Sequence, residues 1–309
     1  MRRICFVAIW ALVLALASCA SPWSQPVPEY RGFRHADSLH GYLWGRAGNA
    51  RLISAHRGGP GPGLPENALE TFAHALSIAP CIVECDVRIS RDGDLVLMHD
   101  ATLDRTTTGY GPVMSKSLVD LRRLRLRDPS GRVTSCRIPT LGETLEWARQ
   151  RCVLTLDVKE PHLYTPVLDA VERHKARGYA VVITYTHDQA RLVHARDPGV
   201  IISASAGSDV SLRRLLSLGI PASRLVVFVG TREPEPEVYR KLHAAGIPAI
   251  LGTMNHLDSL ARRRGDEVYR GLFLRGAQIL STDSVRRVAR SLQRESQPAS
   301  RPAIREKKQ

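Results

Sequence analysis

From residue 50 onward, short apolar runs alternate with stretches of helical periodicity, and this alternation limits the possible folds more than any other feature of the 309-residue chain. The strand-like runs are Leu52–Ala55, Ile82–Val87, Leu95–Met98, Val153–Val158, Val181–Thr184, Ile201–Ala204, Leu225–Val229, Ala249–Gly252 and Gln278–Ser281. Helical spacing predicts helices over Glu66–Ile78, Leu141–Arg151, Leu163–Arg177, His187–Arg196, Val210–Leu218 and Glu235–Ala245. Strands separated by helices pair in parallel through helical crossovers. Residues 50–295 match the roughly 250 residues of a (β/α)8 TIM-type barrel, the expected fold. Nine strand candidates are one too many for such a ring, and Leu225–Val229 is read as the one outside it. The stretch from Asp100 to Pro139 lacks a clear barrel helix, so it is read as a long insertion after the third strand. A doubly wound sheet is the rival fold, but no Gly-x-Gly-x-x-Gly follows a strand.

The ends of the chain have a different character. Met1-Arg2-Arg3 followed by the apolar Ile4–Leu16 reads as a signal peptide over residues 1–18, too short for a membrane-spanning helix of about 20 residues. Leu16-Ala17-Ser18-Cys19 resembles a bacterial lipobox, which makes Cys19 the expected lipidation site and residues 19–49 a tether and N-terminal extension. The expected location is therefore the bacterial cell envelope, with the folded domain outside the cytoplasm and held to a membrane by lipid. Residues 296–309 read as a basic tail. The formal charge of +14 is concentrated in Arg122–Arg127, Arg262–Arg264 and the C-terminal residues. Such runs suit an anionic partner, but no nucleic-acid motif accompanies them and none is expected to bind. Cys81, Cys85, Cys136 and Cys152 have no C-x-x-C spacing, so buried free thiols are expected, with one disulfide as the alternative.

The polar residues that break the apolar runs lie at strand ends, where a barrel carries its chemistry. His56 and Arg57 follow the first strand, Glu84 and Asp86 end the second, His99 follows the third, and Asp157 and Lys159 end the fourth. Residues i and i+2 of a strand share a face, so Glu84 pairs with Asp86 and Asp157 with Lys159, while Cys85 and Val158 turn toward the helices. Two carboxylates on one face at a strand end, with a third across the barrel, would repel without a cation, and hard oxygen ligands suit Ca²⁺ or Mg²⁺. Two histidines beside such a site fit a general acid and a general base, which phosphodiester cleavage needs because both nucleophile and leaving group are alcohol-like oxygens.

The motifs occur in a telling order: Ala55-His56-Arg57-Gly58, Pro65-Glu66-Asn67, Glu84-Cys85-Asp86-Val87, His99-Asp100-x-x-Leu103-x-Arg105-Thr106-Thr107, Ile138-Pro139-Thr140-Leu141, Asp157-Val158-Lys159 and Thr282-Asp283. This series resembles the glycerophosphodiester phosphodiesterase family across nearly the whole barrel. The resemblance implies that His56 and His99 are the acid/base pair, that Glu84, Asp86 and Asp157 hold one divalent ion, and that Arg57 and Lys159 bind phosphate. It further implies hydrolysis of small glycerophosphodiesters to glycerol 3-phosphate and an alcohol. The chain departs from the family pattern at Ala68, at Asp157 where glutamate is usual, at Leu251–Asn255 where a tryptophan is usual, and at Val285. Two other readings are a lysophospholipase D-like enzyme on the same barrel and a non-catalytic phosphodiester-binding lipoprotein. A long apolar groove beside the site would favour the first of these.

If Cys19 is lipidated, the native protein should partition into detergent and Cys19→Ala should leave it soluble or wrongly processed. Equal partitioning of the two forms would remove the anchor.

Overall fold

The computed structural model describes residues 32–293; the expected signal peptide, Cys19 and the basic tail lie outside them. Strands β1 (Leu52–Ala55), β2 (Ile82–Ile89), β3 (Leu95–Leu97), β4 (Leu154–Val158), β5 (Ala180–Thr184), β6 (Ile201–Ser205), β7 (Leu225–Phe228), β8 (Ala249–Gly252) and β9 (Ile279–Thr282) form one sheet. All of them except β3 pair in parallel, and β1 pairs with both β2 and β9, which closes a ring of eight. The barrel is the expected one, but its membership differs. Leu225–Val229 is not outside it: β7 sits between β6 and β8. The strand outside the ring is β3, which pairs antiparallel with β2, Val87 opposite Leu97. The insertion therefore follows the second barrel strand, not the third. A parallel connection needs a crossover of a dozen or more residues, and only Ser90–Asp94 separate β2 from β3. Their Asp92-Gly93 is a hairpin signal.

Helices α1 (Ala36–Trp44), α2 (Leu69–Ile78), α3 (Leu118–Arg123), α4 (Leu141–Ala148), α5 (Tyr164–Arg173), α6 (His187–Arg196), α7 (Asp209–Leu216), α8 (Pro236–Ala244), α9 (His256–Arg264), α10 (Glu267–Leu274) and α11 (Val285–Gln293) complete the order. Several begin on local chemistry. Thr140 with Glu143 and Thr186 with Gln189 form reciprocal capping boxes at α4 and α6, Ser208 caps α7, and Pro236 opens α8. No helix was expected after residue 245. The pattern at α11 was nonetheless legible, because Val285, Val288, Ala289 and Leu292 recur at helical spacing and pack on the core. Helix α9, His-Leu-Asp-Ser-Leu-Ala-Arg-Arg-Arg, is too polar to show such a stripe.

Outward-facing residues such as Val83, Cys85, Leu154, Leu156 and Val158 pack under the helices. Cys81, Cys85, Cys136 and Cys152 are free and buried, as expected. Inward positions form layers. The lowest holds Leu52, Ile82, Val153, Val181, Ile201, Val226, Ile250 and Ile279, which pack on Ala36, Leu39, Tyr42 and Leu43 of α1. Two residues further along each strand the interior turns polar at Ser54, Glu84, Thr155, Ser203 and Ser281, all buried. The end of the N-terminal extension is thus not a tether: α1 closes the barrel opposite the polar mouth. The insertion has a small core of its own, in which Leu103, Val113, Leu121, Leu126 and Ile138 pack with Val96 and Met98.

Because Leu39 is fully buried at this closure, Leu39→Ala should lower the unfolding free energy by about 2–5 kcal/mol in a denaturant titration. A loss well under about 1 kcal/mol would show that α1 is not part of the core.

Candidate active site

The mouth of the barrel is organised by two residues in left-handed backbone conformations. After β1 the chain turns sharply through His56–Gly58, with Arg57 at φ 50° and Gly58 at φ 85°. A side chain at Gly58 would place its Cβ 2.3 Å from Phe72 Cδ1, so only glycine allows α2 to pack this close. The turn aims the Arg57 backbone N–H at Glu84 Oε2, 2.7 Å away. Asn67, at φ 59°, makes a two-sided clamp on the neighbouring strand: its Nδ2 donates to Asp86 Oδ2 (2.7 Å) and the Asp86 N–H donates to its Oδ1 (3.0 Å). The helix expected from Glu66 therefore starts only at Leu69. Glu66, released from it, takes hydrogen bonds from Arg57 and Arg105.

Glu84, Asp86 and Asp157 come together as expected, each buried, with ligand atoms within 4.8 Å of one another. Lys159 Nζ lies between Asp86 Oδ1 (2.7 Å) and Asp157 Oδ2 (2.6 Å). Burial, then the charges of Asp86 and Asp157, push the Glu84 carboxyl well above its usual range. Burial acts on Asp86 in the same sense, but Lys159, the Asn67 hydrogen bond and His99 outweigh it and hold the group below the usual value. Asp157 Oδ1 is buried with no hydrogen-bond partner, a state that costs about 1–3 kcal/mol for a polar atom and more for a charged one. A divalent cation between these side chains would satisfy that oxygen and allow Glu84 to ionise, and the all-oxygen donor set suits a hard ion. The residues present fit such a group.

One residue of this cluster was missed in the sequence. Tyr185 follows β5 on its inward face, and its hydroxyl donates to Asp157 Oδ2 at 2.6 Å. Together with Lys159 it occupies that oxygen twice and leaves Oδ1 as the free ligand atom. An isolated tyrosine directly after an apolar run carries no signal of this role. Its spacing from Val181 and Ile183, once the strand is known, would have placed it in the barrel.

Each histidine is tied through Nδ1 to a carboxylate. His56 Nδ1 lies 2.7 Å from Asp283 Oδ1 after β9, and His99 Nδ1 lies 2.7 Å from Asp100 Oδ1. Burial would lower the His56 value, but the Asp283 hydrogen bond and the Glu84 charge override it and leave it raised. Arg105, paired with both Asp100 and Glu66, holds Asp100 well below the carboxylate range. His99 follows the outside strand β3 rather than a barrel strand, and it stands close enough to Asp86 for their charges to interact. Asp283 in turn is held by buried Asp258, which accepts from Tyr269 Oη, Thr282 Oγ1 and the Asp283 backbone N–H.

Fold and mouth together define a (β/α)8 barrel with an acidic centre of the kind that holds a hard cation, flanked by two carboxylate-supported histidines. The model of the glycerophosphoryl diester phosphodiesterase family matches residues 56–290, and the chain belongs to that family. A glycerophosphodiester phosphodiesterase from Caldanaerobacter subterraneus subsp. tengcongensis is 29% identical over 154 residues, 48% of this chain, and the match spans 63% of that relative's own length, less than two thirds of it. A crystal structure of a glycerophosphoryl diester phosphodiesterase from Parabacteroides distasonis superposes with a TM-score of 0.78 at 30% identity, covering 88% of this chain and 95% of that one. An Oleispira antarctica phosphodiesterase, solved with the product sn-glycerol-3-phosphate, shares the fold at 21% identity and a TM-score of 0.64, covering 79% of this chain and 97% of that one.

Calorimetric titration with Ca²⁺ or Mg²⁺ should show Tyr185→Phe binding about ten-fold or more weakly, the loss expected for one hydrogen bond to a charged group. Asp157→Ala should lose most affinity and Asp157→Glu should keep it. Binding must displace the Glu84 proton, and burial pushes that carboxyl up to about 8, so affinity should rise with pH and level off once pH passes that value. Undiminished affinity in Tyr185→Phe and Asp157→Ala would confine the site to Glu84 and Asp86.

Proposed function

We propose that this protein is a metal-dependent glycerophosphodiester phosphodiesterase, hydrolysing glycerophosphodiesters to glycerol 3-phosphate and an alcohol. The observation that carries the reading is the pair of histidines at the mouth, each with Nδ1 engaged by a carboxylate, beside three buried acids. With Nδ1 committed, Nε2 is the nitrogen that each ring presents for proton transfer. One histidine takes the proton from the attacking oxygen as its bond to phosphorus forms. The other gives a proton to the alcohol oxygen as its bond to phosphorus breaks. Arg57 and Lys159 bind the phosphate oxygens and stabilise the charge that builds on them. Glu84, Asp86 and Asp157 hold one Ca²⁺ or Mg²⁺, which when bound supplies Lewis-acid polarisation of the phosphoryl group.

The lysophospholipase D-like reading called for a long apolar groove. The space adjoining His56 through Asp283 is instead lined by Asn255, His256, Ser259, Arg262 and Arg263, which supports a polar diester over a lysolipid. A family-typical set of acid, base and phosphate ligands also argues against a purely binding lipoprotein. Among the described residues no helix is long and apolar enough to cross a membrane. We place the enzyme in the bacterial cell envelope, anchored through lipidated Cys19, on the strength of the N-terminal sequence.

His56→Ala and His99→Ala should each reduce kcat by about 10²–10⁴-fold while metal content is retained. Activity within a few-fold of the parent in either variant would exclude that residue. Asp283→Asn removes the partner that raises the His56 value, so the limb of the pH–rate profile governed by His56 should move to lower pH. An unmoved profile would separate Asp283 from the chemistry.

A further inference from the structure

Beside His56, through Asp283, lies an open depression of about 500 Å³. Asp283 holds His56 Nδ1 and forms part of the depression's wall. Arg262 and Arg263 of α9, with His256 and Ser259 of the same helix, also line it. The acids of this space are engaged inward. Asp258 is buried and accepts from Tyr269, Thr282 and the Asp283 N–H, while Asp283 turns Oδ1 to His56 and its side chain stays 45% exposed. The two guanidinium groups are not so engaged. Arg262 donates to Ser259 Oγ at 2.6 Å, and no ion pair joins Arg262 or Arg263 to a carboxylate among the described residues. By contrast, Arg57, Arg88, Arg105, Arg177 and Arg275 all pair with acids. The depression therefore joins an acid that holds His56 to two guanidinium groups with no carboxylate partner among the described residues.

The scissile phosphate is already met by Arg57 and Lys159, and a glycerol moiety is neutral, so neither accounts for Arg262 and Arg263. We propose that this depression is the subsite for the leaving alcohol, and that it favours alcohols bearing an anionic group of their own. A carboxylate, as on a serine headgroup, and a second phosphate, as on a glycerol phosphate headgroup, share that chemistry. The proposal rests on the hydrolysis inferred above. The anion takes no part in bond exchange: the P–O bond to the alcohol breaks, the alcohol oxygen receives its proton from a histidine, and the anion stays paired with Arg262 and Arg263.

The test uses the full chain and two matched pairs of substrates. Glycerophosphoserine differs from glycerophosphoethanolamine by one carboxylate, and glycerophosphoglycerol phosphate differs from glycerophosphoglycerol by one phosphate. Within at least one pair, the anionic member should show a kcat/KM about ten-fold higher, the size expected of one charge-assisted contact, and added salt should erode that advantage. The pair that responds identifies carboxylate or phosphate as the ligand. In the double variant Arg262→Gln/Arg263→Gln, the two members of the responding pair should fall within about two-fold of each other, and Arg262→Lys/Arg263→Lys should restore part of the gap. Equal rates within both pairs in the parent, or an advantage that survives the glutamine substitutions, overturns the subsite while leaving the hydrolysis in place. Cleavage of none of the four diesters overturns both.

Discussion

Three carboxylates buried within 4.8 Å of one another cannot all remain ionised without compensating charge, and the mouth of the barrel is arranged around that conflict. Lys159 stands between two of them, Arg57 turns its backbone amide to the third, and Asn67 holds Asp86 from a left-handed turn. Positive charge nearby is in turn regulated by Glu66, which engages Arg57 and Arg105, so that Arg105 can also hold Asp100. The oxygen left over, Asp157 Oδ1, marks where a cation fits. An acidic centre of this kind explains why two non-glycine residues, Arg57 and Asn67, accept strained backbone conformations beside it.

The scaffold supplies the rigidity that this arrangement needs. Parallel strands present side chains inward at every second residue, so one ring of eight strands delivers Glu84, Asp86, Asp157 and Tyr185 to a common space without long loops. The opposite end is sealed by α1 against the apolar bottom layer. The insertion works differently: it has its own small core, and through His99, Asp100 and Arg105 it contributes one histidine and the network that orients it. The site is thus divided between a barrel that gathers acids and a covering loop that brings the second histidine.

Of the departures from the family pattern, Ala68 and Val285 lie in hydrophobic cores, and the other two lie nearer the site. Aspartate at position 157 is shorter than glutamate by about one C–C bond, roughly 1.5 Å, and Tyr185 with Lys159 fixes its remaining reach. At Leu251–Asn255, where the resemblance leads one to expect a tryptophan, the chain has none, and Asn255 lines the depression beside α9. These changes leave the histidines and their carboxylate partners in place.

Much of this was legible in the sequence. Alternating strand and helix signals specify parallel pairing because each crossover must be long enough to return the chain to the same sheet end. The i, i+2 spacing of Glu84 with Asp86 and of Asp157 with Lys159 specifies which side chains share the interior, since strand periodicity is local and independent of partners. What the sequence did not determine was long-range. Hydropathy cannot distinguish a parallel barrel strand from an antiparallel edge strand, so β7 was excluded and β3 included. Leu69, not Glu66, begins α2 because Asn67 is held by Asp86, 19 residues away. Tyr185 meets Asp157 from a neighbouring strand, and Asp283 meets His56 across 227 residues of chain. The residue types and periodicities chose the fold and most of the candidate ligands, because those depend on neighbours in the chain. Only closure of the barrel chose their partners, because it brings residues remote in sequence within hydrogen-bonding distance.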